Sequence, residues 1–308
     1  MTFKNYLKIS FSNLGKMFKL VFFRVIVWLL VFALMAPCYV AIKDVILSNW
    51  NYDLFVELVG TGLFFGSSVT GVFAAVANVL IGALSMLFTK YLAVGIYLTI
   101  VMFIIRPFLM NIGRYVVNEM MYGYMSSHAK HSFSSVLVRT LKNSSVYSIL
   151  RTLFCLPFNL AVAGTFYLLL QQPSPEFAGA MPFVFLLIAT VVLSIKQILT
   201  MCWAPATVVS GAGAVKSFGY GIKAAFRGFA RSMVFAISIY FFAILLSLGL
   251  GVISLIIIVP IFVITSSIFE MMHFFSCQGM RYYVDKDTVL TSKRLEERDT
   301  ISKAKFLL

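Results

Sequence analysis

Leu20 to Ile42 reads LVFFRVIVWLLVFALMAPCYVAI, with Arg24 as its only charge. About 20 consecutive apolar residues is the length a helix needs to cross hydrocarbon. Comparable stretches recur at about 91–113, 146–170, 179–203, 231–250 and 252–277, and a further apolar stretch covers about 55–88. Barrel strands alternate with period two and are roughly ten residues long. These segments run longer and do not alternate. Composition agrees: 61% of the 308 residues are hydrophobic and 12% charged, against about half and about a quarter in soluble domains. The reading is an all-α integral membrane protein of about six transmembrane helices. The N-terminal basic region extends to Arg24, further than a cleavable signal allows, so this first segment is expected to stay as a span. Leu34-Met35-Ala36-Pro37-Cys38 loosely matches a lipoprotein cleavage site, but Pro37 directly before the cysteine argues against that use.

Charge sets the expected sidedness. Lys4, Lys8, Lys16, Lys19 and Arg24 precede or open the first span with no acid among them. Residues 114–151 carry Arg114, Lys130, Arg139, Lys142 and Arg151 against Glu119, and 196–231 carry Lys196, Lys216, Lys223, Arg227 and Arg231 with no acid. The alternate connections are nearly bare. Basic connections stay inside, so both termini are expected in the cytoplasm of a multi-pass plasma-membrane protein. The net charge of +14 then belongs to anionic lipid headgroups as partners, not to nucleic acid. An even number of crossings must separate the N-terminus from residue 114, so the glycine-rich stretch 55–88 is expected to be an outer-face or re-entrant insertion. The other reading makes 69–88 a true span and one neighbour not.

Three segments share a spacing. Lys16 precedes Arg24 in GKMFKLVFFRVIVW, Lys142 precedes Arg151 in LKNSSVYSILRTLF, and Lys223 precedes Arg231 in IKAAFRGFARSMVF. VGIYLTIVMFIIRP, with Arg106, resembles VFLLIATVVLSIKQ, with Lys196. Arg114-Tyr115-Val116-Val117-Asn118-Glu119 resembles Arg281-Tyr282-Tyr283-Val284-Asp285-Lys286. The chain therefore reads as one bundle, 1–283, of three repeats of amphipathic helix, span and span: about 1–113 with the insertion 55–88, then 114–203, then 204–283. A charged cytoplasmic tail, 284–308, follows as a short helix or a disordered segment. This layout resembles bacterial polytopic membrane-protein families in which amphipathic segments alternate with helical hairpins. One example is the membrane domain fused to some glycerophosphodiester phosphodiesterases. The resemblance covers most of residues 1–283 and rests on layout and Lys/Arg spacing. It implies about six spans. It does not imply the phosphodiesterase activity, because no such catalytic domain is present.

Catalytic patterns are missing: there is no HExxH, GxSxG, Walker or dinucleotide-binding motif. Between Asp53 and Asp285 the only acids are Glu57, Glu119, Glu176 and Glu270, too few for paired-carboxylate catalysis or a divalent cation. No cofactor or metal is called for. Cys38, Cys155, Cys202 and Cys277 form no CxxC pair and read as apolar fillers. His128 and His131 flank Lys130 on what reads as a solvated face. Glu270 and His273, three apart on one helix, could form a proton-sensitive or ligand-contacting pair, or could pair with cations of neighbouring repeats. Arg24, Arg106, Arg151, Lys196 and Arg231 could line an inner-leaflet pocket for an anionic headgroup or solute, or could snorkel independently. The functional expectation is a non-enzymatic protein that interacts with lipids or partner proteins through its basic face. A homo-oligomer is compatible with this. The alternatives are a transporter or export component for an anionic or amphiphilic substrate, and an intramembrane lipid-modifying enzyme.

Overall fold

The computed structural model describes residues 8–9, 11–49, 81–127, 131–170, 181–280, 282–283 and 289–290. These are almost entirely helical. Helix α1 (Leu14–Met35) passes through a 3₁₀ turn at Ala36–Cys38 into α2 (Tyr39–Asn49). The turn sits where Pro37 removes a backbone donor. Helix α3 (Leu92–Ile100) continues through a π-helical turn, Val101–Ile105, into α4 (Arg106–Ser127). The widened turn lies directly before Pro107, whose ring would clash with the carbonyl one turn back in a regular helix. Then follow α5 (Phe133–Leu170), α6 (Met181–Thr200), α7 (Trp203–Ser210), α8 (Ala214–Arg227) and α9 (Phe229–Gln278). Among the described residues four helices are long and apolar enough to cross a membrane, or five if the bent pair α8 and the start of α9 counts as one.

Side-chain contacts show how the long helices pair. Tyr97 donates to the Leu34 carbonyl at 2.9 Å, Arg106 lies 4.3 Å over the Trp28 ring, and Gly113 abuts Leu20 and Phe23. Numbers rise along α3–α4 as they fall along α1, so the two run antiparallel. At the far end of this pair Lys90 bonds Asp44 at 2.8 Å. That bond, with the Tyr91 hydroxyl, holds the Lys90 ammonium above its usual range. Helices α5 and α6 pair in the same sense, through Phe166–Phe185, Lys196–Asn159 and Arg151–Thr200.

The third pairing lies within one element. The sequence reads 231–250 and 252–277 as two spans, and Phe229–Gln278 is helical as one 50-residue element. Ser232 nevertheless lies 2.8 Å from His273, and Arg231 lies 3.0 Å from Ser276. A straight helix would hold Ser232 and His273 about 60 Å apart at ~1.5 Å per residue. The element therefore folds back between Ala243 and Ser266, and its two arms run antiparallel.

Helix α8 is the amphipathic segment expected before the third pair. It meets the first arm of α9 at 91°. Its residues fall on three faces. Ala214, Ser217, Gly221, Ala224 and Ala225 are buried against the bundle. Gly221 is required there: a Cβ would stand 3.0 Å from the backbone of Cys202 and Trp203. Val215 and Phe226 share an exposed apolar face, while Lys216, Lys223 and Arg227 share an exposed basic one. The second unit differs from expectation. Its basic segment is not a separate helix; α5 runs unbroken from Phe133 past Arg151 for 38 residues. The reason is packing: α4 lies along it, through Glu119–Arg139, Val116–Met120–Val136 and Tyr115–Tyr147.

The core is richest at the end carrying the basic segments, where Val117, Met121, Met125, Met271, Met272 and Phe275 are buried together. Along the middle of the long helices the apolar side chains point outward instead. Phe22, Leu29, Phe32, Leu153, Leu187 and Val191 are all exposed, a surface suited to lipid rather than water. Tyr282–Tyr283 forms an antiparallel bridge with Val289–Leu290, and Tyr282 is buried in the core; the rest of the charged tail 284–308 lies outside the described residues. One further expectation changes. Arg114–Glu119 is mid-helix in α4 while Tyr282–Tyr283 is a strand, so those two similar strings are not structural equivalents. Most of 55–88 lies outside the described residues; 81–89 is helical, and Gly95 packs against Leu87 and Phe88.

Candidate functional site: a basic cluster around one buried acid

Glu270, on the second arm of α9, is fully buried. An unpaired carboxylate there would be costly. Arg114 of α4 reaches it with both arms of its guanidinium, Nε donating to Oε2 at 2.9 Å and a terminal nitrogen pairing with Oε1. Gln197 of α6 donates Nε2 to Oε1 at 3.0 Å. The Tyr240 hydroxyl, from the first arm of α9, reaches Gln197 Oε1 at 3.4 Å. Three helices distant in sequence therefore converge on one carboxylate.

Four more cations lie within charge–charge range of Arg114 or of one another. Arg24 lies within charge–charge range of Arg106 and Arg151, Arg114 of Arg24 and Arg151, and Lys196 of Arg106, Arg114 and Arg151. Their neighbours are neutral. Arg151 donates to the Tyr147 hydroxyl at 2.6 Å and to Thr200 at 3.2 Å. Lys196 donates to Asn159 at 2.9 Å. Arg106 stacks on Trp28. The buried Nε atoms of Arg24 and Arg106 have no partner. Five cations thus share a low-dielectric interior with one carboxylate, which only Arg114 among them contacts. Like charges repel strongly there, and each unmet donor carries a desolvation cost. A bound anion would relieve both.

Helix geometry explains the assembly. Arg24 and Arg151 sit about three and five turns, and Lys196 about one turn, from the helix ends bearing the basic segments, and antiparallel pairing brings them together. Of the five cations expected to line a pocket, Arg24, Arg106, Arg151 and Lys196 meet here. Arg231 does not. It is exposed and donates to Ser276 at 3.0 Å, because its helix face turns toward the opposite arm of α9. Glu270 and His273 also part company. Glu270 faces α4 and α6, whereas His273 Nε2 lies 2.8 Å from Ser232 Oγ and 3.3 Å from Cys277 Sγ. Three residues on a helix leave side chains about 60° apart, enough to place the two in different contacts. Gly228 makes room for the imidazole; a Cβ there would stand 2.6 Å from its Cε1. His131 is exposed, and His128 lies outside the described residues.

Sequence reading did not place Arg114, Gln197, Tyr147 or Tyr240 in this site. A signal existed for the first: Glu270 at membrane depth needs a cation, and Arg114 is the first basic residue beyond Arg106-Pro107. Among the described residues no three His, Cys, Asp or Glu side chains are grouped to hold a metal. Compared with family models, curated proteins and solved structures, the chain matches none.

Proposed function

We propose that this chain is a multi-pass membrane protein that coordinates an anionic group, of the phosphate or carboxylate class, within its buried basic cluster. Its three antiparallel helix pairs count as about six spans, with the basic ends and both termini in the cytoplasm. Basic connections favour that side, and α8 has the three-faced character of a helix lying in the headgroup layer. The cluster then sits in the inner-leaflet half, reachable from lipid headgroups or from the cytoplasm. The observation that carries the reading is the imbalance at the site: Arg24, Arg106, Arg114, Arg151 and Lys196 lie within charge–charge range of one another, Glu270 pairs with Arg114 alone among them, and the Nε donors of Arg24 and Arg106 are unmet. The role we assign is non-enzymatic, since the acid is engaged by Arg114 and Gln197.

The test is anion binding by the purified protein in a neutral detergent. Native mass spectrometry and thermal shift would follow titration with phosphatidylglycerol and, separately, with inorganic phosphate. Binding of either that weakens about tenfold or more in Arg24→Met and Arg106→Met supports the site, since each variant loses a charge-assisted donor. Binding that survives both unchanged counts against it.

A second reading, transport of an anionic or amphiphilic substrate, draws on the π-helical turn immediately before Arg106-Pro107. Interrupted helices beside a charged residue are common at carrier sites. Reconstituted vesicles showing saturable flux that is lost in Arg106→Ala and Lys196→Ala variants would favour it.

A further inference from the structure

The corner between α8 and α9 closes on an imidazole and a thiol. His273 and Cys277 lie four apart on the second arm of α9, so they share a face, and Nε2 stands 3.3 Å from Sγ. Gly228, at the corner, packs against both; a Cβ there would stand 2.7 Å from Sγ and 2.6 Å from Cε1. Ser232 Oγ, 2.8 Å from Nε2, donates to the Gly228 carbonyl at 3.1 Å. Its oxygen is then an acceptor for Nε2 once that nitrogen carries a proton. His273 is fully buried, whereas Cys277 is half-buried near the end of α9. Arg231 lies within charge range of the imidazole. A second thiol is close by. Cys202 is fully buried in the apolar cluster of Phe269, Phe274, Ala224 and Ala225 against which Cys277 packs, and the two cysteines are within electrostatic range of each other. Helix α8 therefore crosses both, abutting the Cys202 backbone at Gly221 and the Cys277 sulfur at Gly228.

We propose that Cys277 is a peroxide-reactive thiol, that His273 accepts its proton, and that Cys202 resolves the oxidised sulfur as a reversible disulfide beneath α8. The thiolate is the form that attacks peroxide, and His273 Nε2 is placed to hold the proton that Cys277 gives up. The Cys277 sulfur attacks one oxygen of hydrogen peroxide. An S–O bond forms as the O–O bond breaks, and the departing hydroxide takes the proton from His273 and leaves as water. Cys277 is then a sulfenic acid. Gly228 leaves no space for the added oxygen on its side, so the oxidised sulfur turns from the corner toward the cluster that holds Cys202. The Cys202 sulfur attacks it, the S–S bond forms as the S–O bond breaks, and hydroxide leaves with the Cys202 proton as a second water. Two thiols lose two electrons and one peroxide becomes two waters. A disulfide in a reducing compartment is typically transient and sensing rather than structural. This one ties the start of α7 to the end of α9 across α8, and so fixes the amphipathic helix against the bundle.

The experiment treats the full chain in nanodiscs with a small molar excess of hydrogen peroxide. The thiols of Cys38, Cys155, Cys202 and Cys277 are followed by alkylation and peptide mass spectrometry. Wild type is expected to gain a Cys202–Cys277 linked peptide that dithiothreitol removes, while Cys38 and Cys155 stay reduced. Cys202→Ala is expected to stop at a dimedone-reactive sulfenic acid on Cys277. His273→Gln is expected to slow oxidation of Cys277 about tenfold or more, and its thermal midpoint before peroxide shows whether it is folded. Ser232→Ala removes the acceptor for protonated Nε2 and is expected to slow the same step several-fold, so it serves where His273→Gln does not fold. Oxidation of all four thiols at one rate, or of none, overturns the reactive thiol. A sulfenic acid on Cys277 that persists in wild type without the linked peptide overturns the part given to Cys202. Unchanged rates in the folded His273 and Ser232 variants overturn the part given to His273.

Discussion

Arg114 and Glu270 stand 156 residues apart in the chain and form a forked ion pair where α4, α6 and α9 converge. Neither can be understood alone. The carboxylate is fully buried, and only the guanidinium keeps it from being an isolated charge. The pair also divides the cluster, since Arg114 is engaged while Arg24 and Arg106 keep donors to spare.

Breaking this pair from one side should cost more than removing it altogether. Arg114→Met and Glu270→Met are each expected to destabilise the protein by about 3–5 kcal/mol in phosphatidylcholine, as each strands a buried charge. The double variant should recover most of that loss. Unfolding midpoints in mixed micelles check this as a double-mutant cycle. Additive losses would mean that the two side chains are not coupled.

The approach of α1 to α4 depends on Gly113. A Cβ there would stand 2.6 Å from the Phe23 ring and 3.2 Å from Leu20. Gly113→Ala should therefore lower stability by about 1–3 kcal/mol through overpacking. At Gly164 in α5 nothing lies within 4 Å of the same atom, so Gly164→Ala should be neutral or stabilising by up to ~1 kcal/mol. Thermal midpoints of the two variants should move apart, and a matched response would contradict the packing.

Helix α8 should report two environments. Nitroxides at Phe226→Cys and Lys223→Cys sit on its apolar and basic exposed faces. The label at 226 is expected to be protected from water-soluble relaxants and reached by oxygen, and the label at 223 the reverse. Equal access at both positions would remove α8 from the headgroup layer.

Sidedness has its own check. A cysteine placed at Lys142 should react with an impermeant maleimide only in inside-out vesicles, and one at Lys43 only in right-side-out vesicles. The opposite pattern would invert the proposed topology and put the cluster in the outer leaflet.

Much of this could be read from residues alone, because it depends on local composition. Long apolar runs specify helices that need a nonaqueous surface. The Lys–Arg spacing marked where basic segments give way to those runs and singled out Arg24, Arg151 and Arg231, while the likeness of two later apolar runs singled out Arg106 and Lys196. Faces were not legible in the same way. Arg231 shares the spacing of Arg24 and Arg151 but turns toward Ser276, since a helix's rotation is set by what packs against it. Glu270 and His273 share a helix yet enter different networks for the same reason. Arg114 looked like one more flanking charge until tertiary packing carried α4 past α9. A sequence specifies which segments are helical and how apolar they are by nearest-neighbour chemistry. Which guanidinium meets the buried carboxylate of Glu270 is decided by contacts across 156 residues, and only the assembled helices supply them.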